Sequence, residues 1–377
     1  MFSRNKRYTA AQLNEPETTE QAPADLSGTL LRVQPHPENN GIHDAAGLLQ
    51  ALYDPQQDAL GRNTSRPCSF ELWFNEGAIT FYLYAPSERA AEKYKRRVAN
   101  AYNNTAVTRV DAGERAFPVV EEDDYVAGSE MYPEKGGRTG KYYPIRHFRD
   151  DQGFDKDPYG QITSALLSTE ESKVVVQVLF KPAPRDWTDG GFTSAGVDDV
   201  AETLRADDVV WDPIPRDRDA TKKDIESAKV VERQRNAQAF HTNIRVVAIS
   251  PEKGEAEARA KDLGGMFSSY YNATTEQGLV QESVRGWPSG RRAKKLRDHL
   301  SRMQRREYAN AEMVLTVDEL AGIAHIPNGS EKDGISTPRI NWRHTRRGSQ
   351  VDAGTERHDE SDEDGDTAGS AAAAGDD

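Results

Sequence analysis

The stretch SFELWFNEGAITFYLY, residues 69–84, decides the fold more than any other part of the sequence. Its two halves, 69–74 and 78–84, place apolar side chains at every second position, which is the period of a β-strand. Between them, Gly77 can take the positive φ that a tight turn requires. The stretch therefore predicts a β-hairpin with one apolar face. The residues of that face are Phe70, Leu72, Phe74, Ile79, Phe81 and Leu83.

The segments on either side of this hairpin extend it into a repeating unit. Residues 30–37 predict a strand, and 43–54 predict a helix with one apolar face. A second helix is predicted over 87–104, with its first residue, a serine, as the N-cap. Residues 105–110 predict the closing strand. The order is βαββαβ, which is the ferredoxin-like plan.

The same order recurs in the second half of the chain. We assign strands to 142–148, 173–184, 242–250 and 278–284, and helices to 157–168 and about 252–271. The first of these helices opens with Asp157 as N-cap and Pro158 in the first turn. The insertion 185–241 is polar and contains Thr221 and Asp224 at capping-box spacing, which predicts a projecting helical arm.

These assignments predict an α+β fold of two ferredoxin-like βαββαβ units with an inserted helical arm and a C-terminal helical segment. The predicted parts are a disordered arm (1–27), the first unit (28–118), a linker (119–141), the second unit (142–288) with its helical insertion (185–241), a helical connector (289–347) and an acidic disordered tail (348–377).

Composition limits the class of protein. The chain has 377 residues, 36% of them hydrophobic, which is typical of a soluble globular protein. Its net charge of −13 is concentrated at the end, because residues 351–377 hold ten acids and one arginine. An excess of acids over bases indicates a halophilic protein, although an acidic tail that binds a partner would lower the total in the same way.

Cysteine usage and hydropathy bear on the compartment. Cys68 is the single cysteine, so the sequence predicts neither an internal disulfide nor a Cys/His zinc cluster. The longest strongly apolar run, 174–180, is far too short to cross a bilayer. We therefore expect a cytoplasmic protein, with any membrane association made through a partner.

Three segments resemble catalytic motifs but depart from them. In 136–142, GGRTGKY, Lys135 stands where a P-loop needs its first glycine, and a tyrosine replaces the magnesium-binding hydroxyl. The GFTSAG of 191–196 has the wrong spacing for a nucleophile elbow. The acidic run 121–124 is typical of a solvated loop. We therefore predict no catalytic residue, no metal site, no cofactor and no enzymatic activity.

Residues 290–308 predict an amphipathic helix whose charge opposes that of the whole chain. Its apolar stripe is Ala293, Leu296, Leu300 and Met303. The candidate nucleic-acid-binding residues are Arg291, Arg292, Lys294, Lys295, Arg297, Arg302, Arg305 and Arg306. Two interpretations stay open: a solvated face paired with acidic helices, or contact with DNA phosphates.

Aromatic residues also line the other face of the predicted hairpin. Trp73, Tyr82 and Tyr84 alternate with its core residues, and aromatics on an open sheet can stack nucleic-acid bases. The stretch departs from the RNA-recognition pattern, however, so we predict that these rings are buried against the second sheet.

The segment LTVDELAGIAHIPN, 315–328, predicts a short helix with a well-defined start. Thr316 and Glu319 have the spacing of a capping box, and Leu315 and Leu320 that of a hydrophobic staple. His325 has no second ligand-spaced histidine or cysteine near it. We therefore interpret it as a packing or hydrogen-bonding residue rather than a catalytic one.

Four stretches, in order, resemble the non-motor N-terminal region of HerA/FtsK-type ATPases of conjugation and type IV secretion systems. They are FELWFNEGAITFYLYAPSERAAEKYKRRVANAYNNTAV, DPYGQITSALLSTEESKVVVQVLFKPAPRDW, NIRVVAISPEKGEAEARAKDLGGMFSSYYN and LTVDELAGIAHIPN, and the resemblance spans roughly residues 30–342. The matching positions are Pro86, Tyr102, Asp157, Pro158, Trp187, Thr316, Glu319, Leu320, Ala321, His325 and Pro327, while Asp318 replaces a glutamate of the pattern.

The resemblance implies a role beside a motor. No Walker A motif follows Pro327, so ATPase activity does not carry over. We expect a non-catalytic accessory or docking module for a separately encoded DNA-translocating ATPase of a conjugation, plasmid or viral system. The residues expected to dock on this partner are Leu315, Thr316, Glu319, Leu320, His325 and Pro327. The alternative is a protein that binds DNA directly through the basic helix 290–306.

Overall fold

The structure is a computed structural model. It describes residues 9–13, 28–75, 77–111, 117–150, 153–154, 157–159, 172–190, 195–212, 214–286, 289–309, 313–328 and 339–340, without the side chains of 208–218, 289 and 339. All of these residues belong to one compact unit that spans residues 1–343.

Strands and helices alternate along the chain. The strands are β1 (Ala11–Gln12), β2 (Thr29–Gln34), β3 (Cys68–Asn75), β4 (Ala78–Ala85), β5 (Ala106–Arg109), β6 (Tyr125–Pro133), β7 (Lys173–Pro182), β8 (Asp208–Asp212), β9 (Ile214–Arg218), β10 (Ala239–Ser250), β11 (Leu279–Ser283), β12 (Val314–Thr316) and β13 (Arg339–Ile340). The helices are α1 (Ile42–Leu52), α2 (Glu88–Ala101), α3 (Gly137–Gly140), α4 (Val197–Arg205), α5 (Lys222–Glu232), α6 (Lys253–Met266), α7 (Ser289–Gln304) and α8 (Val317–Ile323). A turn of 3-10 helix, Phe267–Tyr270, follows α6.

Eleven of the described strands form a single sheet. Its order is β1-β6-β10-β7-β3-β4-β2-β5, with β11 also paired to β6, β12 to β10, and β13 to β4. Every pairing is antiparallel except that of β13 with β4. Strands β8 and β9 form a separate hairpin. The chain is thus a mixed α+β fold built on one large sheet.

The sheet has two halves with the same internal order. The first half runs β5-β2-β4-β3, and the second runs β11-β6-β10-β7, so each places its strands in the order fourth, first, third, second. The halves meet where β3 pairs with β7, from Cys68 opposite Phe180 to Phe74 opposite Val174. Both strands are rich in buried apolar residues on both faces, which suits the middle of a covered sheet.

The two faces of the sheet carry different helices. Phe70 and Leu72 point to one face, where they share a core with residues of α1, α2, α6 and α8. Trp73 points to the other face, where its core includes residues of α7. This division follows from the period of two in the strands, because successive side chains of a strand leave on opposite sides. The basic helix therefore lies on the face that the other long helices leave open.

Several local predictions are confirmed. Gly77 has φ +70° in the turn between β3 and β4. The Ser87 side chain accepts a hydrogen bond from the Ala90 N–H at the start of α2. The Thr221 and Asp224 pair forms a capping box on α5. Each of these features depends on residues close in sequence, which explains why the pattern was sufficient.

The predicted strand at 142–148 is wrong, since those residues form turns and irregular backbone. The first strand of the second half is β6, which lies in the predicted linker 119–141. Gly128, Ser129 and Glu130 made β6 look unlike a strand. A glycine is needed at 128 because a Cβ there would lie 2.7 Å from the His299 ring.

The insertion and the N-terminal arm also differ from expectation. The insertion contains the β8–β9 hairpin as well as α4 and α5, and the two helices share a core with Trp187 and Tyr142. It is therefore packed on the body rather than a projecting arm. Within the predicted disordered arm, β1 pairs with β6, and Leu13 is buried. Most of the predicted helix 157–168, and the whole acidic tail, lie outside the described residues.

Candidate functional site

The segment 313–328, which is part of the predicted connector 289–347 and is called the connector below, lies inside the protein. Val317, Leu320 and Ile323 of α8 belong to the main core, and α8 packs against α1. Of the six residues predicted to dock on a partner, five are buried: Leu315, Glu319, Leu320, His325 and Pro327. Thr316 is half-buried. A docking role does not fit this placement, because buried side chains cannot reach a partner without local unfolding.

The start of α8 is fixed as the sequence predicts. The Thr316 N–H and hydroxyl both lie 2.7 Å from Glu319 Oε2, and the Glu319 N–H donates back to Thr316 Oγ1. The same carboxylate accepts a hydrogen bond of 2.8 Å from the N–H of Ile145. Burial raises the pKa of Glu319 to about 7, although these hydrogen bonds act in the opposite direction. Glu319 therefore joins α8 to the 142–148 segment as well as capping the helix.

His325 has a structural partner. Its Nε2 lies 2.9 Å from Asp157 Oδ1, and its ring packs edge-on against Tyr159 with 4.3 Å between centroids. Burial favours a higher pKa for Asp157, but the charge and hydrogen bond of His325 outweigh it and leave the pKa below its usual value. The imidazole itself has no exposed surface. This pair links two segments that are far apart in sequence, and a substrate has no access to it.

The end of the connector is held by the first half of the sheet. The Asn39 side chain donates to the Pro327 carbonyl at 3.1 Å, and the Ile326 N–H contacts the Tyr102 hydroxyl oxygen at 3.4 Å. The loop 36–41 therefore contacts the end of the 313–328 segment.

Helix α7 packs against the sheet through its apolar stripe. Leu296, Leu300 and Met303 are fully buried, as the predicted spacing requires. They share their core with Trp73, whose ring lies 4.0 Å from that of Tyr82. Trp73, Tyr82 and Tyr84 are therefore buried as predicted, but under α7 and neighbouring residues of the same core rather than against a second sheet. That placement closes the sheet face to stacking of nucleic-acid bases.

A buried ion pair holds the C-terminal end of α7. Both guanidinium edges of Arg306 meet Glu71, with Nε 2.9 Å from Oε1 and Nη2 3.1 Å from Oε2. Trp73 Nε1 and Gln177 Nε2 also donate to this carboxylate, at 2.9 and 3.0 Å. Neither Glu71 nor Arg306 has exposed side-chain surface. Arg306 is therefore a structural residue, and its prediction as a nucleic-acid contact is wrong.

A second charged cluster lies beneath the middle of α7. Glu130 Oε1 is 3.4 Å from His299 Nδ1 and 3.5 Å from both Arg245 Nε and Arg302 Nη2. Burial works to raise the pKa of Glu130, but hydrogen bonds from His299 and Tyr132 and the charge of Arg245 lower it to about 2. Glu130 therefore stays ionised at neutral pH and attracts three basic side chains to the underside of the helix.

The remaining predicted bases form two groups: those whose side chains are held by a hydrogen bond or ion pair, and those whose side chains face solvent. Arg297 donates to the Leu13 carbonyl, Arg292 to the Gly286 carbonyl, and Arg305 pairs with Glu307. The second group is exposed and consists of Arg291, Lys294 and Lys295. These three residues, on the N-terminal half of α7, are the candidate site, and we call them the exposed basic stripe.

Sequence reasoning missed the charged residues that position α7. Glu71 carried a detectable signal, because a carboxylate in the middle of an apolar strand is rarely buried without a partner. Its partner Arg306 lies 235 residues away, and no local pattern connects the two. His299 and Arg245 carried a similar signal, because His299 lies on the apolar stripe of α7 and Arg245 lies within the apolar strand β10.

Comparison with known proteins identifies the family. A family model described as Domain of unknown function (DUF8128) matches residues 3–343. The chain belongs to the DUF8128 family. A search of curated proteins found no significant match to this DUF8128 member.

Three further observations concern the described part of this DUF8128 domain. No group of three or more His, Cys, Asp or Glu side chains in the described ranges is placed to hold a metal ion. Among the helices that the structure describes, none combines the length and apolarity needed to span a membrane. The single thiol, Cys68, is buried, and burial raises its pKa to about 12.

Proposed function

We propose that the protein is a non-catalytic accessory module that docks on a separately encoded DNA-translocating ATPase of a conjugation, plasmid or viral system. The observation that carries the proposal is the repeated strand order. In each half the order is fourth, first, third, second, which is the order expected of a ferredoxin-like βαββαβ unit. We accordingly interpret the halves as two such units joined through β3 and β7.

The stretches that resemble the HerA/FtsK-type region support the proposal, because they coincide with strands and helices of the structure. The first covers most of β3, all of β4 and α2, and the start of β5. The third covers most of β10 together with α6, and the last covers most of β12 and all of α8. Each therefore corresponds to a structural element of the sheet or its helices. The resemblance to the non-motor region of HerA/FtsK-type ATPases thus concerns the framework of the fold.

The buried connector changes where docking is expected. Residues 315–327 are part of the core, so a docking surface beside them has to be formed by exposed neighbouring residues. The loop 36–41 is such a neighbour, because the Asn39 side chain donates a hydrogen bond to the Pro327 carbonyl. We propose that the motor docks around this loop, where Glu38 and Asn40 are exposed.

The test is a binding measurement between purified full-length protein and a purified HerA/FtsK-type ATPase encoded beside it, by biolayer interferometry. Deletion of 311–347 is unsuitable because it removes core residues such as Leu320. Glu38→Arg is expected to weaken association about tenfold, because reversing a charge in an interface introduces repulsion. Glu202→Arg is the matched control, because Glu202 is also an exposed acid and lies on α4.

Association that is lost with Glu38→Arg and kept with Glu202→Arg would support the proposal. No association with such an ATPase, or equal binding by both variants, would contradict it. The protein alone is expected to hydrolyse no ATP, and measurable hydrolysis that purifies with it would contradict the non-catalytic part.

Direct DNA binding is the second candidate, and a separate observation favours it. Arg291, Lys294 and Lys295 form the exposed basic stripe, which the docking proposal does not use.

A further inference from the structure

The exposed basic stripe is a regular feature of one face of α7. Arg291, Lys294 and Lys295 are separated by three and four residues, so their side chains lie together on the helix surface. None of the three has an ion pair or hydrogen bond through its side chain within the described part of the chain. The stripe therefore presents three positive charges to solvent in a protein of net charge −13.

The first turn of α7 carries positive charge, whereas helices usually place negative charge in their first turn. The first turns of α1, α2, α4, α5, α6 and α8 each contain an acidic residue, which complements the positive end of the helix dipole. The first turn of α7 contains no acid and holds Arg291 and Arg292 instead. Two arginines in this turn are unfavourable next to the positive end of the helix dipole, and an anion bound there would neutralise them.

The opposite side of α7 keeps the stripe in a fixed orientation. Leu296, Leu300 and Met303 are fully buried against the sheet. Arg306 is held by Glu71, and His299 Nε2 lies 3.1 Å from the Val246 carbonyl. Rotation of the helix would break all of these contacts. The basic side chains therefore remain on the outer surface without any rearrangement on binding.

From these contacts we infer that the exposed basic stripe binds the phosphate backbone of duplex DNA without reading its sequence. Bases interact with phosphates through charge, and such contacts carry little sequence information. Single-stranded nucleic acid is bound largely by stacking on aromatic side chains, but α7 contains none and Trp73 is buried beneath it. This inference goes beyond docking on a motor and holds whether or not a motor is bound.

The length of the stripe sets the number of phosphates. Arg291 and Lys295 are separated by about 6 Å along the helix axis. Phosphates of one DNA strand advance about 3.4 Å along the duplex axis, so the stripe matches about three consecutive phosphates. The logarithm of the binding constant should then fall with the logarithm of salt concentration with a slope of about −2.7.

The test is fluorescence anisotropy of the full chain with a labelled 20-base-pair duplex at low and rising salt. The triple variant Arg291→Gln, Lys294→Gln and Lys295→Gln should bind on the order of tenfold more weakly and lose most of the salt slope. The matched control replaces Arg89, Lys95 and Arg97 with Gln. These are exposed bases of α2, on the opposite face of the sheet, and they change the net charge equally.

A gain of binding provides an independent check. Asp298 lies one turn beyond Lys294 and Lys295 on the same face, is exposed, and places a negative charge at the end of the stripe. Asp298→Asn should tighten duplex binding severalfold, because it removes repulsion between its carboxylate and the DNA. A solvated face with no DNA contact would show no such gain.

Several results would overturn the inference. They are no duplex binding at low salt, equal loss in the α7 and α2 variants, tighter binding to a single strand of the same length, and competition by poly-L-glutamate equal to that by DNA. The variants must unfold at the same urea concentration as the wild type. Failure here leaves docking on the motor untouched, since that is tested with Glu38→Arg.

Discussion

At the scale of single residues, the decisive interactions are buried charges with partners far away in sequence. Glu71 lies on a central strand and would be strongly destabilising alone, because a buried carboxylate without a partner loses its hydration. Arg306 compensates with two hydrogen bonds, and Trp73 and Gln177 fill further acceptor positions. The pair thereby fixes where the end of α7 meets the sheet.

Removal of one partner tests this ion pair. Arg306→Met should lower the free energy of unfolding by about 3–5 kcal/mol, because it leaves Glu71 buried and unpaired. The double variant Glu71→Gln with Arg306→Met should recover much of that loss. Urea unfolding measures both. Arg305→Met is the control, since Arg305 and Glu307 form an exposed pair that contributes about 1 kcal/mol or less. Equal losses in Arg305→Met and Arg306→Met would contradict the assignment.

Glu319 predicts a dependence of stability on pH. Burial raises the pKa of Glu319 to about 7 in the folded protein, against 4.5 for the free side chain. Between these values the folded state holds a proton that the unfolded chain has released. The free energy of unfolding should therefore fall as pH rises from 5 to 8, by up to about 3 kcal/mol.

Glu319→Gln should flatten this pH dependence, because the amide does not titrate. The measurement is urea unfolding at four pH values, with Glu202→Gln at an exposed position as the control. If the wild type and Glu319→Gln lose stability in parallel over this range, another group is responsible.

At the scale of elements, the contact of α7 with β6 requires a glycine in β6, because a larger side chain would collide with the helix. Gly128 lies directly under His299, and a Cβ at this position would approach the imidazole to 2.7 Å. The ring cannot move away easily, because it has no exposed surface and its Nε2 contacts the Val246 carbonyl. The close approach of helix and strand thus explains why an apparently weak strand sequence forms the first strand of the second half.

Gly128→Ala should therefore destabilise the protein by about 1–3 kcal/mol, through displacement of α7. Gly47→Ala is the matched control. Gly47 lies on the exposed side of α1 with no atom near a new Cβ, and alanine there should be neutral or stabilise by up to about 1 kcal/mol. Thermal unfolding of the two variants checks the contrast, and a neutral Gly128→Ala would show that α7 can shift without cost.

At the scale of the whole molecule, the seam between β3 and β7 makes one sheet from two halves. The pairing covers seven residue positions, Cys68 to Phe74 on β3. The same main core includes residues from both halves, such as Leu72 and Val246. Because no aqueous gap separates the halves, neither can unfold without exposing apolar surface of the other, and unfolding should be cooperative.

Cys68 provides a direct measurement of this cooperativity. Its Sγ is buried at the seam, 3.4 Å from the Phe180 carbonyl, and burial raises the pKa of the thiol to about 12. Labelling by a thiol reagent in native buffer should therefore proceed only through global unfolding, and at reagent concentrations high enough to outpace refolding its rate should equal the unfolding rate from urea kinetics extrapolated to zero denaturant. Labelling that is much faster than global unfolding would mean that the seam opens separately.

Features that depend on residues close in sequence were predicted correctly, and features that depend on distant residues were not. The hairpin at Gly77, the caps at Ser87, Thr221 and Thr316, and the apolar stripe of α7 depend on neighbours within one or two turns, and all were read correctly. The strand β6 was missed because its glycine and polar residues meet α7 rather than a regular apolar layer.

The candidate site could be predicted only in part, because the contacts that hold its side chains also join residues far apart in the chain. All eight bases of the 290–306 helix look alike in sequence, yet the structure ties Arg306 to Glu71 and Arg302 to Glu130 and leaves three others free. The interpretation of His325 as a packing or hydrogen-bonding residue is confirmed. The residues predicted to dock on a partner are mostly buried, because the core that covers them comes largely from distant parts of the chain.

The sequence by itself determined the strands and helices that have a regular apolar period, the starts of the capped helices, and the concentration of positive charge on α7. Local sterics and hydrogen bonds are sufficient for these features. Only the tertiary structure decided that the two halves share one sheet, that α8 is buried, and that Arg291, Lys294 and Lys295 are the free bases. Those outcomes depend on contacts between residues far apart in the chain, where the partner of a side chain is set by packing and no local period records it.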